Sequence, residues 1–250
     1  MKLSANLGFL WKDLPLPDAI RAAKRAGFDA VECHFPYDVP VAEVNAALDE
    51  TGLPMIGLNT WKGGASEFGL AALPGRETDA HAAIDQAVDY ARAIGCRHIH
   101  VMSGKSGPEA EAVFRANLDY ACQQSGDIMI LIEPINDRDV PGYHLSTLEQ
   151  AADIMAKLGR PNLKIMADCY HIQIMGGDLV RRLEKHLPMI GHVQFAAVPS
   201  RGRPDEGELN YPWIAGALTA MGYDGWMGAE YKTNGPTEDS LGWMASLQSR

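Results

Sequence analysis

The chain has 250 residues, 46% of them hydrophobic and 22% charged, which excludes a disordered, collagenous or coiled-coil chain. Its net charge of −10, from 22 basic and 32 acidic residues, argues against a phosphate-backbone partner and against docking on anionic lipid. The longest apolar runs, such as 128–132, fall far short of the ~20 residues a membrane span needs.

The first residues meet charge again at Lys12 and Asp13, so no signal peptide is expected. Four cysteines (Cys33, Cys96, Cys122, Cys169) show no C-x-x-C spacing and predict reduced thiols in a cytoplasmic protein. Short apolar runs then alternate with segments of helical period. A first strand is predicted over 2–7 and a helix over 18–26, stopped by Gly27. A second strand over 28–33 precedes a helix over 41–50, closed by Gly52. A third strand spans 54–59, followed by a glycine-rich loop over 60–75 and a long helix over 77–94. Strands over 97–102 and 128–133 flank a helix over 109–123. A helix over 147–158 leads to a sixth strand over 163–168, then a helix over 177–186 and a seventh strand over 190–195. A helix over 211–221, an eighth strand over 226–231 and a last helix over 237–247 complete the pattern.

Eight strand–helix pairs in a chain of this length predict a closed (β/α)₈ TIM barrel, one domain over 1–250. An open doubly wound sheet is the alternative. It would want a glycine-rich phosphate loop after the first strand, and Asn6-Leu7-Gly8-Phe9-Leu10 lacks the second and third glycines.

A barrel places its chemistry at the C-terminal ends of its strands. The fifth strand ends in Glu133, the sixth in Asp168 and the eighth in Glu230, while the seventh carries Gln194. Three carboxylates and an amide therefore converge from four consecutive strands. Alone they would repel one another, and an all-oxygen set fits a hard ion, Mg²⁺ or Mn²⁺, better than zinc. His171 follows Asp168 by three residues and faces either the pocket or a helix start. The polar segment 199–211 carries Arg201, Arg203 and Glu208, and an arginine there suits a bidentate hold on a substrate carboxylate. His34, Phe35 and Tyr37 are candidate pocket walls, with Trp61 and Lys105 in the loops after the third and fourth strands. Glu32 faces the barrel mouth or its interior, and His192 shares a strand face with Gln194.

Several segments resemble the hydroxypyruvate isomerase family of the xylose-isomerase-like barrels. They are Ser4-Ala5-Asn6-Leu7, Phe35-Pro36-Tyr37, Ile132-Glu133-Pro134-Ile135-Asn136, Pro141-Gly142-Tyr143, Asp168-x-Tyr170-His171, Gly207-Glu208-Leu209-Asn210-Tyr211 and Tyr223-Asp224-Gly225-Trp226 with Glu230-Tyr231-Lys232. The resemblance implies a metal held by Glu133, Asp168, Gln194 and Glu230, with Glu133 and Glu230 as acid/base glutamates and His171 on the substrate. It implies interconversion of hydroxypyruvate and tartronate semialdehyde, or of 2-oxo-tetronates. Arg201 and Glu208 complete the expected substrate contacts. Asn59-Thr60-Trp61-Lys62-Gly63-Gly64 departs from the family pattern in a loop that shapes specificity. The expected partner is a small hydroxy-oxo acid, with no nucleic acid and no membrane; homo-oligomers are common among such barrels. Three other readings stay open. A ketose 3-epimerase would share the ligands and return the proton elsewhere. An endonuclease IV-like nuclease would want histidine-rich zinc and a basic groove. A binding barrel would have no chemistry.

Overall fold

The computed structural model describes residues 1–248. Eight strands, β1 (Lys2–Asn6), β2 (Ala30–Glu32), β3 (Met55–Asn59), β4 (His98–His100), β5 (Met129–Ile132), β6 (Leu163–Asp168), β7 (Ile190–Phe195) and β8 (Trp226–Ala229), form a closed barrel in chain order. Every pairing is parallel, and β8 joins β1 from Lys2↔Trp226 to Ala5↔Ala229. That closing ladder realises the predicted barrel and excludes the doubly wound sheet.

The helices are α1 (Leu16–Arg25), α2 (Val41–Thr51), α3 (Glu77–Ala93), α4 (Glu111–Ser125), α5 (Leu148–Leu158), α6 (Cys169–Gly176), α7 (Leu179–His186), α8 (Tyr211–Ala220) and α9 (Met244–Gln248). Period-two alternation sorts each strand into two faces. Leu3, Val31, Ile99, Ile165, Val193 and Met227 join Ile20, Val44, Ile84, Leu118, Leu183 and Leu218 of the helices in one buried apolar cluster. Ser4, Asn6, Glu32, His98, His100, His192 and Gln194 are buried as well, and they occupy the alternate positions. The apolar core thus lies between wall and helices, while the upper interior of the barrel is polar.

Several boundaries differ from expectation. The predicted fifth and eighth strands stop at Ile132 and Ala229, so Glu133 and Glu230 open the loops rather than end the ladders. Helix α6 lies in a stretch predicted as loop. Its start is capped by Asp168, whose Oδ1 accepts the Tyr170 N–H at 2.9 Å, and Cys169, Tyr170, His171 and Ile172 are all buried. A short helix buried on this scale carries no polar stripe to announce it. The segment over 237–247 divides into a 3₁₀ turn, Thr237–Ser240, and α9. The helix expected from residue 109 begins as a 3₁₀ turn, Pro108–Ala110. No helix among the described residues is long and apolar enough to cross a membrane, and all four cysteines are free and buried.

Candidate metal and substrate site

The barrel register brings the predicted donors to the C-terminal end of neighbouring strands. Asp168 pairs with Gln194, Gln194 with Gly228, and the Glu230 N–H bonds the Phe195 carbonyl at 3.2 Å. Glu133, Asp168, Gln194 and Glu230 are all buried, at 5%, 0%, 1% and 6% exposure. Ligand atoms of Glu133, Asp168 and His171 lie within 4.8 Å of one another. His171 Nε2 stands 3.6 Å from Glu133 Oε1 and 3.5 Å from Asp168 Oδ2. Arg201 continues the ring: its Nη2 donates to Glu230 Oε2 at 2.6 Å and lies 3.7 Å from Asp168 Oδ2. Glu208 is not brought into this group. It is exposed, and its carboxylate accepts from Gln173 Nε2 at 3.1 Å.

The carboxylates have unequal surroundings. Burial, then the neighbouring Glu230 and Asp168, push the Glu133 carboxyl well above the usual range. Burial raises Asp168 to about 7 against the pull of Arg201, with Glu230 adding to the rise. Burial also opposes ionisation of Glu230, but the Arg201 guanidinium and the bond to His34 outweigh it and bring the group to about 2. Glu230 is richly supplied with donors, since Asn6 Nδ2 and His34 Nε2 reach its Oε1 at 3.0 and 3.2 Å. Glu133 Oε1, Asp168 Oδ2 and Gln194 Oε1 are buried and have no hydrogen-bond partner. Buried acceptors left without donors cost about 1–3 kcal/mol each. Unpartnered carboxylate and amide oxygens are the donor chemistry that suits a hard divalent cation, so the residues present fit such a group.

His171 has a defined tautomer. Its Nδ1 faces the backbone N–H of Asn136 at 3.2 Å and the Asn136 amide at 2.5 Å. A backbone N–H can only donate, so Nδ1 accepts and Nε2 bears the hydrogen. Burial, then the Arg201 charge, lower its pKa to about 3, so the ring is neutral. His171 therefore presents an N–H to the oxygen cluster.

Asn6, Asn136 and His100 belong to the site and were absent from the sequence expectation. His100 Nδ1 lies 3.6 Å from Glu133 Oε2. Their signal was present in part, because Asn6 and His100 are polar residues on the inward alternation of apolar strands. Glu32, whose side was open on sequence, faces the interior: Ser4 Oγ donates to its Oε1 at 3.0 Å. At the mouth, the Arg201 guanidinium lies between the rings of Phe9 and Tyr170, 4.8 and 5.1 Å from their centroids. Arg201 holds a left-handed φ of 55°, a conformation that costs a non-glycine residue of order 1 kcal/mol or more. Phe35 meets Trp61 edge-on at 5.7 Å along the rim.

A family model described as a xylose isomerase-like TIM barrel matches residues 20–247, so the chain belongs to that family. The 2-oxo-tetronate isomerase of Cupriavidus necator is 42% identical over 100% of this chain and 99% of its own length. A Homo sapiens protein named "Putative hydroxypyruvate isomerase" is 42% identical over 100% of this chain and 96% of its own. Within the family the chain groups with these proteins, and it is an enzyme of the isomerase class. A crystal structure named AP endonuclease, family 2, from Brucella melitensis superposes with a TM-score of 0.94 at 39% identity, over 98% of each chain. The E. coli 3-keto-D-glucoside 4-epimerase YcjR superposes with 0.83 at 21% identity over the whole of both chains, a likeness of fold.

Proposed function

We propose that this enzyme is a divalent-metal-dependent isomerase of a small hydroxy-oxo acid, with hydroxypyruvate and 2-oxo-tetronates as the substrate class. The observation that carries the reading is the pair of buried glutamates just beyond β5 and β8. Glu133 has an oxygen that lacks a donor, and Glu230 is held by Arg201, Asn6 and His34. Glu133, Asp168, Gln194 and Glu230 would hold Mg²⁺ or Mn²⁺, which when bound supplies Lewis-acid stabilisation of the negative charge building on the substrate oxygens. Isomerisation takes a proton from the carbon beside a carbonyl and returns it to the neighbouring carbon. One glutamate removes that proton and the other delivers it, a division of labour that a pair flanking the substrate can perform. His171 Nε2–H donates to a substrate oxygen. Arg201, whose Nε is buried without a partner, receives the substrate carboxylate.

The relatives named as isomerases at about 40% identity support this reading over the alternatives. The D-allulose 3-epimerase structure from Methylomonas sp. is 18% identical and speaks to fold alone. A nuclease reading fits poorly with a net charge of −10. We take the enzyme to work in the cytoplasm, without nucleic acid or membrane, and to be open to self-association. The test is turnover of hydroxypyruvate and 2-oxo-tetronates before and after chelation. Activity should vanish with EDTA and return with Mn²⁺ or Mg²⁺. Faster epimerisation of fructose or tagatose, or tight binding of abasic duplex DNA, would replace this reading with one of its rivals.

A further inference from the structure

Glu32 is a buried carboxylate that the proposed chemistry does not use. It stands at the end of β2, 4% exposed, in register with Asn6 of β1. Its Oε2 accepts two hydrogen bonds, from His192 Nε2 at 3.0 Å and from Gln194 Nε2 at 3.1 Å, and its Oε1 accepts from Ser4 Oγ at 3.0 Å. The barrel has made room for it. A Cβ on Gly228 would lie 2.1 Å from Glu32 Oε1 and 2.8 Å from His192 Nε2, so β8 carries no side chain where this carboxylate sits.

A buried carboxylate is seldom retained for stability, since an apolar side chain of the same shape often serves as well or better. What Glu32 does supply is direction. A glutamine amide has two ends of nearly equal shape, one an acceptor and one a donor. Only the oxygen can meet a cation, and a rotation of 180° would aim an NH₂ at it instead. Gln194 Nε2 donates to Glu32 Oε2, so the end of Gln194 facing the carboxylate is the NH₂. The oxygen is thereby turned to the other side, where it is buried and unpartnered. From this geometry we infer that Glu32 is a positioning residue which fixes the Gln194 amide with its carbonyl oxygen toward the metal seat. This inference rests on the metal-dependent reading above.

The measurement is Mn²⁺ affinity of the purified enzyme by titration calorimetry and Mn²⁺ EPR, without substrate. Replacement of an outer residue that orients a ligand typically weakens metal binding ~10–100-fold, and Glu32→Leu should do so. Glu32→Gln should stay within about threefold of the parent, because its amide oxygen can take the place of Oε2. Glu32→Asp withdraws the acceptor by one methylene and should also weaken binding, which keeps the question answerable should the leucine variant not fold. In a Gln194→Ala background Glu32→Leu should have no further effect, since no amide is left to orient. Unchanged affinity in folded Glu32→Leu, an equal loss in the Gln194→Ala background, or failure of Glu32→Gln to restore binding overturns the assignment. A parent enzyme that binds no Mn²⁺ overturns the metal reading itself, and the role of Glu32 with it.

Discussion

His171 and Glu133 are both buried neighbours of Asp168, and the difference between them lies in a single backbone N–H. Because Asn136 donates to Nδ1 of His171, the imidazole can offer only a hydrogen to the cluster, whereas Glu133 offers a bare oxygen. Replacing His171 with leucine should therefore lower kcat/KM by about 10–100-fold, the loss of one charge-facing hydrogen bond, while Mn²⁺ affinity stays within a few-fold. A fall in affinity matching that of Asp168→Ala would make His171 a ligand. Glutamine at Glu133 or Glu230 keeps shape and removes the titrating oxygen. Each change should cut turnover by ~10²–10⁴-fold with an unaltered far-UV circular dichroism spectrum, and an active Glu230→Gln would strike that residue from the mechanism. That Glu133, Asp168, Gln194 and Glu230 are buried at the same end of the barrel was legible in sequence, because barrel topology tells where the polar residues at a strand's end point. Asn6, His100 and Asn136 were not, since each is an ordinary polar residue until its partner across the barrel is known. Glu32 was half-legible: a charge among Ala30 and Val31 is conspicuous, but three residues do not tell which side it takes.

Helices announced themselves where they have a wet face. In α5 the signal is local and complete: Thr147 Oγ1 accepts the Gln150 N–H at 3.2 Å, and Gln150 Oε1 accepts the Ser146 N–H at 3.0 Å. Gly159 then ends the helix in a left-handed conformation, φ 62°. Thr147→Ala should lower unfolding free energy by about 1 kcal/mol in urea denaturation and leave turnover untouched; a loss in activity instead would tie this cap to the site. Helix α6 escaped notice for the opposite reason. Cys169-Tyr170-His171-Ile172 is buried, so there was no alternation to read, and the only cue was Asp168 itself, which is a cap and a site residue at once. The strands β5 and β8 ended one or two residues early for a related cause. Glu133 and Glu230 must leave the ladder to turn inward at the rim.

At the scale of the whole barrel, the eightfold alternation was the strongest statement the sequence made, since each strand's apolar run must be covered by the helix that follows it. The cost of a polar interior was not visible there. Burial, then the nearby charges of His192 and Arg97, depress His98 to about 3. The folded protein thus leaves this ring neutral at a pH where the unfolded chain, titrating near 6.5, has taken a proton. Its contribution is intact above about 6.5 and is lost as the pH falls from there toward 3. Over that window it removes up to about 1.4 kcal/mol per pH unit. His98→Leu should make the plot of unfolding free energy against pH shallower by about one proton between pH 6 and 4. An identical slope in the two proteins would mean that His98 is protonated within the fold.

Burial drives the thiols of Cys33, Cys96, Cys122 and Cys169 above their ordinary range, and none is exposed. At neutral pH the native molecule accordingly presents no sulfur that a maleimide can alkylate. A cysteine introduced in place of Trp61, which is 44% exposed beside Phe35, would be the sole point of dye attachment. A fluorophore placed there would stand on the rim of the barrel mouth, able to register a ligand's arrival with no background from the rest of the chain.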